Sequence, residues 1–96
     1  MKKTFGVIGL GRFGYSVALN IEKRGFPVLA IDNDREIIER VKDKLSHVIL
    51  ADVTDELALE EAGIKNCDTV IVAIGDNKEH SILATMIVKS MGINYV

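Results

Sequence analysis

Short runs of β-branched and aliphatic residues alternate along this chain with longer stretches whose apolar residues recur every three to four positions. Thr4–Gly9 (TFGVIG), Val28–Asp32 (VLAID), His47–Ala51 (HVILA) and Thr69–Ile74 (TVIVAI) read as strands. The last is apolar throughout, which suits a central strand covered on both faces. A helix is predicted over Arg12–Arg24, with Phe13, Val17 and Ile21 on one face, Lys23 and Arg24 in its last turn and Gly25 as its stop. Asn33 or Asp34 caps a second helix, with Glu36 in its first turn and Ile37, Ile38, Val41 and Leu45 as its apolar stripe. Thr54 is expected to cap a short third helix carrying Leu57, Ala58 and Ala62 and ended by Gly63. A last helix runs from about Asn77 to Met91 and ends at Gly92; Asn94–Val96 read as the start of a fifth strand.

The order βαβαβαβαβ predicts a doubly wound parallel α/β sheet whose crossover helices are right-handed. The 96 residues form one domain, 1–96, with no repeat, linker or low-complexity segment. A chain that stops as a strand begins is expected to be truncated after the start of that fifth strand. The 48% hydrophobic content predicts a globular chain, and a net charge of −2 with mixed signs gives no basic stripe for nucleic acid. The sole cysteine, Cys67, excludes an intrachain disulfide and points to a reducing cytoplasm. The glycines break the apolar start MKKTFGVIGLG, so it reads as strand and turn rather than as a signal peptide.

The turn VIGLGRFG carries Gly9, Gly11 and Gly14 at G-x-G-x-x-G spacing, after a predicted strand and at the opening of a predicted helix. That context makes the fold Rossmann-like. Gly9 permits the tight turn, Gly11 lets the backbone approach a pyrophosphate, and Gly14 lets the helix pack close on the sheet. Asp32 ends the second strand, 21 residues after Gly11. Its carboxylate can accept both ribose hydroxyls of an adenosine and repels a 2′-phosphate, so NAD is favoured over NADP. Asp52 and Val53, ending the third strand, are placed to meet an adenine, and Gly75 ends the fourth strand as Gly9 ends the first. Arg12 lies inside the turn. Bridging phosphates are served by backbone N–H groups, so an arginine there suits a ligand with more terminal phosphate charge, such as ADP or ATP. The candidate set is therefore Gly9, Leu10, Gly11, Arg12, Phe13 and Gly14 in the turn, Asp32 with Asn33, Asp52 with Val53, and Ile74 with Gly75.

No catalytic or metal-ligating constellation accompanies this set. His47 begins a strand, His80 falls in the first turn of the last helix, and Cys67 has no CxxC or Cys/His spacing nearby. Asp55, Glu56, Glu60 and Glu61 read as a solvated helix face.

VIGLGRFG, VLAID, ADVTDELALEEAGI and DTVIVAIGDN together resemble the RCK/KTN (TrkA N-terminal) domain family of bacterial potassium uptake systems, over essentially all of residues 4–96. The stretch Asp52, Thr54, Asp55, Leu59, Ala62, Gly63 and Ile64, with the VIVAIGDN that follows, is the more specific part. The resemblance implies a non-enzymatic regulatory domain binding NAD(H), ATP, ADP or AMP. Gly9, Gly11, Arg12 and Gly14 would hold phosphates, Asp32 the ribose, Asp52 and Val53 the adenine, and Ile74 and Gly75 the cleft floor. It also implies dimerisation through late helices, assembly into a ring, and docking of that ring on the cytoplasmic face of a membrane K⁺ channel or transporter. The alternative is the NAD-binding half of an oxidoreductase without its catalytic domain. The glycine turn and Asp32 allow it equally; Arg12 and the Asp52–Asp55 segment do not favour it.

Overall fold

The computed structural model describes residues 3–75 and 77–96. Its elements are β1 (Phe5–Ile8), α1 (Arg12–Lys23), β2 (Val28–Asp32), α2 (Arg35–Val41), β3 (His47–Leu50), α3 (Glu56–Ala62), a 3₁₀ turn (Ile64–Asn66), β4 (Thr69–Val72) and α4 (Lys78–Ser90). The four strands form a parallel sheet in the order β3-β2-β1-β4. The expected doubly wound, Rossmann-like α/β fold is therefore present. Asn94–Val96 contribute a single parallel bridge, Tyr95 to Thr69, on the outer side of β4.

Period-two alternation sorts the strand residues into two cores. Val7, Val28 and Ala30 face one side, where Ala18 of α1 and Ile38 and Val41 of α2 close over them. Ile8, Ile31 and Val70 face the other, against Leu59, Ile64, Cys67 and Val88. Ile8, Ile31, Leu59 and Ile64 are among the largest fully buried side chains, each worth roughly 1.5–3 kcal/mol of transfer free energy.

Several local expectations shift. Phe13 is 68% exposed. The buried face of α1 runs through Gly14 and Ala18, because Gly14 is where the helix meets the sheet end. Leu45 is buried in the first core but lies past the end of α2. Asp55, not Thr54, caps α3, accepting from the Leu57 N–H; the Thr54 hydroxyl is instead donated to Asp52. Leu59 then faces the sheet, while Leu57 is exposed. Of the two candidates before α2, Asp34 is the cap, accepting from the Glu36 N–H.

Two glycines of the turn are structural. Gly9 has φ +99°, and a Cβ there would lie 2.7 Å from the Ala73 carbonyl oxygen. A Cβ on Gly14 would overlap the Gly9 carbonyl. That obstacle is backbone and cannot rotate away. Gly14→Ala is expected to lower unfolding free energy by roughly 1–3 kcal/mol or more, read from the urea midpoint.

Candidate functional site

The sheet order places a topological switch between β1 and β4: the chain winds outward through β2 and β3, then returns to the other side of β1. Crevices in such sheets open beyond the carboxyl ends of the strands at that point. An open cleft of about 570 Å³ lies there, lined by Gly9, Gly11 and Arg12 from the turn, Asp32 at the end of β2 with Asn33 after it, and Ile74 and Gly75 after β4. Its volume is in the range of small-molecule sites, roughly 300–1,000 Å³.

Asp32 organises the floor of this cleft. It is 7% exposed, and both carboxylate oxygens accept backbone hydrogens. Oδ2 accepts from Leu10 N–H at 2.7 Å and Oδ1 from Asp34 N–H at 2.8 Å. One side chain thus ties the glycine turn to the entry of α2. A carboxylate offers about four acceptor positions, so two bonds leave capacity for ribose hydroxyls on the cleft side.

The helix N-termini differ in how they are completed. Those of α2, α3 and α4 carry side-chain caps, Asp34, Asp55 and Asn77, and each has an acid in its first turn, Glu36, Glu56 and Glu79. The N-terminus of α1 has neither: its cap is Gly11, without a side chain, and its first turn has no acid. Its first residue is instead Arg12, exposed and without an ion pair among the described residues. A cation is locally unfavourable there, so the end of α1 is positive twice over.

Gly11 and Gly75 both face the cleft. A Cβ on either would meet nothing within 4 Å. Gly11 has φ −67° and ψ −166°, open to any residue. Neither packing nor backbone conformation calls for glycine at this position. The donor set there, helix N–H groups with a guanidinium, fits a phosphate.

Phe13 and Val53 also line the cleft. Leu10 does not: its side chain is in the first core, and its contribution is the N–H bound to Asp32. Gly14 lies buried beneath the turn. Asp52 lines an adjoining depression of about 660 Å³ with Asn33, Arg35, Leu50, Ala51, Thr54 and His80. Two hydrogen bonds from Thr54, through its hydroxyl and its N–H, hold the Asp52 carboxyl below its usual value, and the charge of His80 adds to the effect. Asp34, Ile37, Ala73, Asn77 and His80 complete the cleft and were absent from the sequence-derived set. The signal that could have found Asn77 and His80 is positional: they open the helix that follows β4, whose carboxyl end borders the switch.

Cys67 sits in the second core, where burial, then the charge of Asp68, pushes its thiol up to about 11. It carries no thiolate at neutral pH and has no place in the cleft. His47 is exposed at the start of the edge strand β3. Among the described residues no group of three His, Cys, Asp or Glu side chains is arranged to hold a metal.

The TrkA-N domain pattern matches residues 5–95. Ktr system potassium uptake protein C of Bacillus subtilis is 44% identical over 96 residues, all of this chain and 43% of the relative. Ktr system potassium uptake protein A of the same organism is 41% identical over 91 residues, covering 95% of this chain and 41% of the relative. The chain therefore spans less than half the length of these two proteins. Among solved structures, the NAD(P)-binding domain of an exopolyphosphatase-related protein from Archaeoglobus fulgidus superposes with a TM-score of 0.78 at 25% identity, over 91% of this chain and 65% of that one.

The bond from Leu10 N–H to Asp32 is buried. Asp32→Ala leaves that donor without its partner and is expected to destabilise the fold by about 1–3 kcal/mol, measured by chemical denaturation in the absence of nucleotide.

Proposed function

The chain belongs to the TrkA-N domain family, and from that premise we propose that it is a nucleotide-sensing regulatory domain of a potassium uptake system. The observation that carries the nucleotide reading is the end of α1: uncapped, without acids, bearing Arg12, and fronted by a Gly11 that the fold does not require. Phosphates seat on the N–H groups of that first turn and on the Arg12 guanidinium. The ribose hydroxyls meet Asp32, and the base points toward Val53 and Asp52. The fixed negative charge of Asp32 opposes a 2′-phosphate, so NAD(H) is preferred to its phosphorylated form. ATP, ADP and AMP share the adenosine contacts and differ at Arg12.

The cleft lining contains no paired nucleophile and base among the described residues, which favours sensing over turnover. Regulation then requires two shapes of an assembly with different affinities for the nucleotide, a coupling typically worth about 1–3 kcal/mol. The assembly begins with a second copy of this chain. Ile82 and Met86, one turn apart on α4, are 61% and 63% exposed, and Leu83 beside them is 43% exposed. No described helix is long and apolar enough to cross a membrane. In this reading the domain acts from the cytoplasmic face, through a separate membrane K⁺ channel or transporter subunit. The names of the two Bacillus subtilis relatives support that partner.

Calorimetric titration with NAD⁺, NADH, ATP, ADP and AMP tests the reading. Gly11→Val is expected to abolish binding of all five while the denaturation midpoint stays close to wild type. Full binding by that variant overturns the phosphate site. Arg12→Ala is expected to weaken ATP by about tenfold or more and AMP by less. Equal losses for the two remove the terminal-phosphate role of Arg12. For the α4 face, Met86→Glu is expected to shift the sedimentation velocity of the chain toward the monomer, and an unchanged distribution refutes that interface.

A further inference from the structure

The depression beside the main cleft begins one strand beyond Asp32. Leu50 is the register partner of Asp32 on β3, and the Ala51 N–H bonds the Asp32 carbonyl at 3.1 Å. Asn33 lines both cavities, so the two adjoin there. A group attached to a ribose at Asp32 reaches this depression across one strand spacing, about 4.8 Å. Its lining is mixed. Leu50 ends β3 with an apolar side chain that is 39% exposed, and Ala51 follows it.

Two opposite charges, Asp52 and Arg35, share that lining without pairing with one another. Asp52 Oδ1 accepts from the Thr54 N–H at 2.9 Å and from the Thr54 hydroxyl at 2.7 Å, while Oδ2 accepts from no described residue. The carboxylate is held in place with one oxygen open. The Arg35 guanidinium forms no ion pair among the described residues. Glu39, one turn along α2, is taken by Lys42 at 2.8 Å, and Arg35 exerts only a lesser electrostatic pull on it. A carboxylate can only accept and a guanidinium can only donate. Asn33 and His80, on the same lining, can each do either and impose no such sign.

An occupant that satisfies both charges carries a donor beside an acceptor on one edge, and an apolar face for Leu50. Adenine has that edge, its N6 amine next to N7. Guanine and hypoxanthine have a carbonyl at C6 and would turn an acceptor toward the carboxylate. We propose that this depression reads the base of the bound nucleotide and selects adenine: the open Oδ2 of Asp52 accepts from the N6 amine, and Arg35 donates to N7, over Leu50 and Ala51. The proposal rests on the nucleotide reading of the cleft. Asp52 serves as an acceptor at neutral pH, because Thr54 holds its carboxyl below the usual value.

Calorimetry on the whole chain tests it with NAD⁺, its hypoxanthine analogue, and its 7-deazaadenine analogue, in which N7 is a C–H. The hypoxanthine analogue is expected to bind about tenfold or more weakly than NAD⁺, and the 7-deaza analogue about fivefold or more weakly. Asp52→Asn is expected to bring the first ratio below about twofold, since an amide can turn a donor to the carbonyl. Arg35→Ala is expected to do the same to the second ratio, and each variant leaves the other ratio in place. Both side chains are exposed, so the denaturation midpoint stays close to wild type. Equal binding of NAD⁺ and either analogue by wild type overturns the proposal, as does either ratio persisting in its variant. If NAD⁺ itself fails to bind wild type, the nucleotide reading falls. NAD⁺ binding without discrimination removes the base-reading role alone.

Discussion

The contact between Gly14 and the Gly9 carbonyl is the constraint on which this architecture turns. A side chain at position 14 would drive α1 away from the end of β1. With none there, the helix begins directly behind the strand, and Gly9 N–H bonds Ile31 O at 2.8 Å, joining the turn to β2. Asp32 then reaches the next N–H along, at Leu10. The cleft is the space left when a helix is seated this close to a sheet whose chain reverses direction of travel at β1. Its walls come from four separated segments: the glycine turn, the end of β2 with the start of α2, Val53, and the residues between β4 and the first turn of α4.

Electrostatics distinguishes this end of the molecule from an ordinary set of helix starts. Three helices complete their own N-termini with a side-chain cap and an acid; α1 presents backbone N–H groups and a guanidinium. An anion with several oxygens is the complementary object, and the adjacent carboxylate of Asp32 sets where its negative charge must stop. In the proposed reading, the opposing signs, a cation at Arg12 and a carboxylate at Asp32, lay out a nucleotide along the cleft from one end to the other.

Much of this was legible beforehand. The strands were readable because their residues are apolar in continuous runs, and Gly9, Gly11, Gly14 and Asp32 because their spacing reflects local backbone geometry. What failed did so where local signals compete. Thr54 and Asp55 are both good caps, and the choice fell to Asp55 because the Thr54 hydroxyl is engaged with Asp52. Phe13 fits a helical stripe with Val17 and Ile21, yet the rotation of α1 is set by Gly14, and Phe13 turns out to solvent. Leu10 looked like part of a binding turn, but its side chain is core and its backbone N–H is bonded to Asp32. The place of His80 in the cleft was least visible, because neither periodicity nor spacing links it to Asn33 and Asp52.

By itself the sequence determined the order of elements, the parallel sheet, the glycine turn between β1 and α1, and the acid at the end of β2. Each of these depends on residues close together in the chain, where propensity and backbone geometry act directly. The tertiary structure alone decided that β1 and β4 are neighbours, that Asp32 binds the turn it faces, and that His80 and Asp52 share a cavity. Those are contacts between segments 20 or more positions apart. They exist because burying both faces of the sheet folds the strand ends onto one rim, a condition of the whole chain that no local stretch encodes.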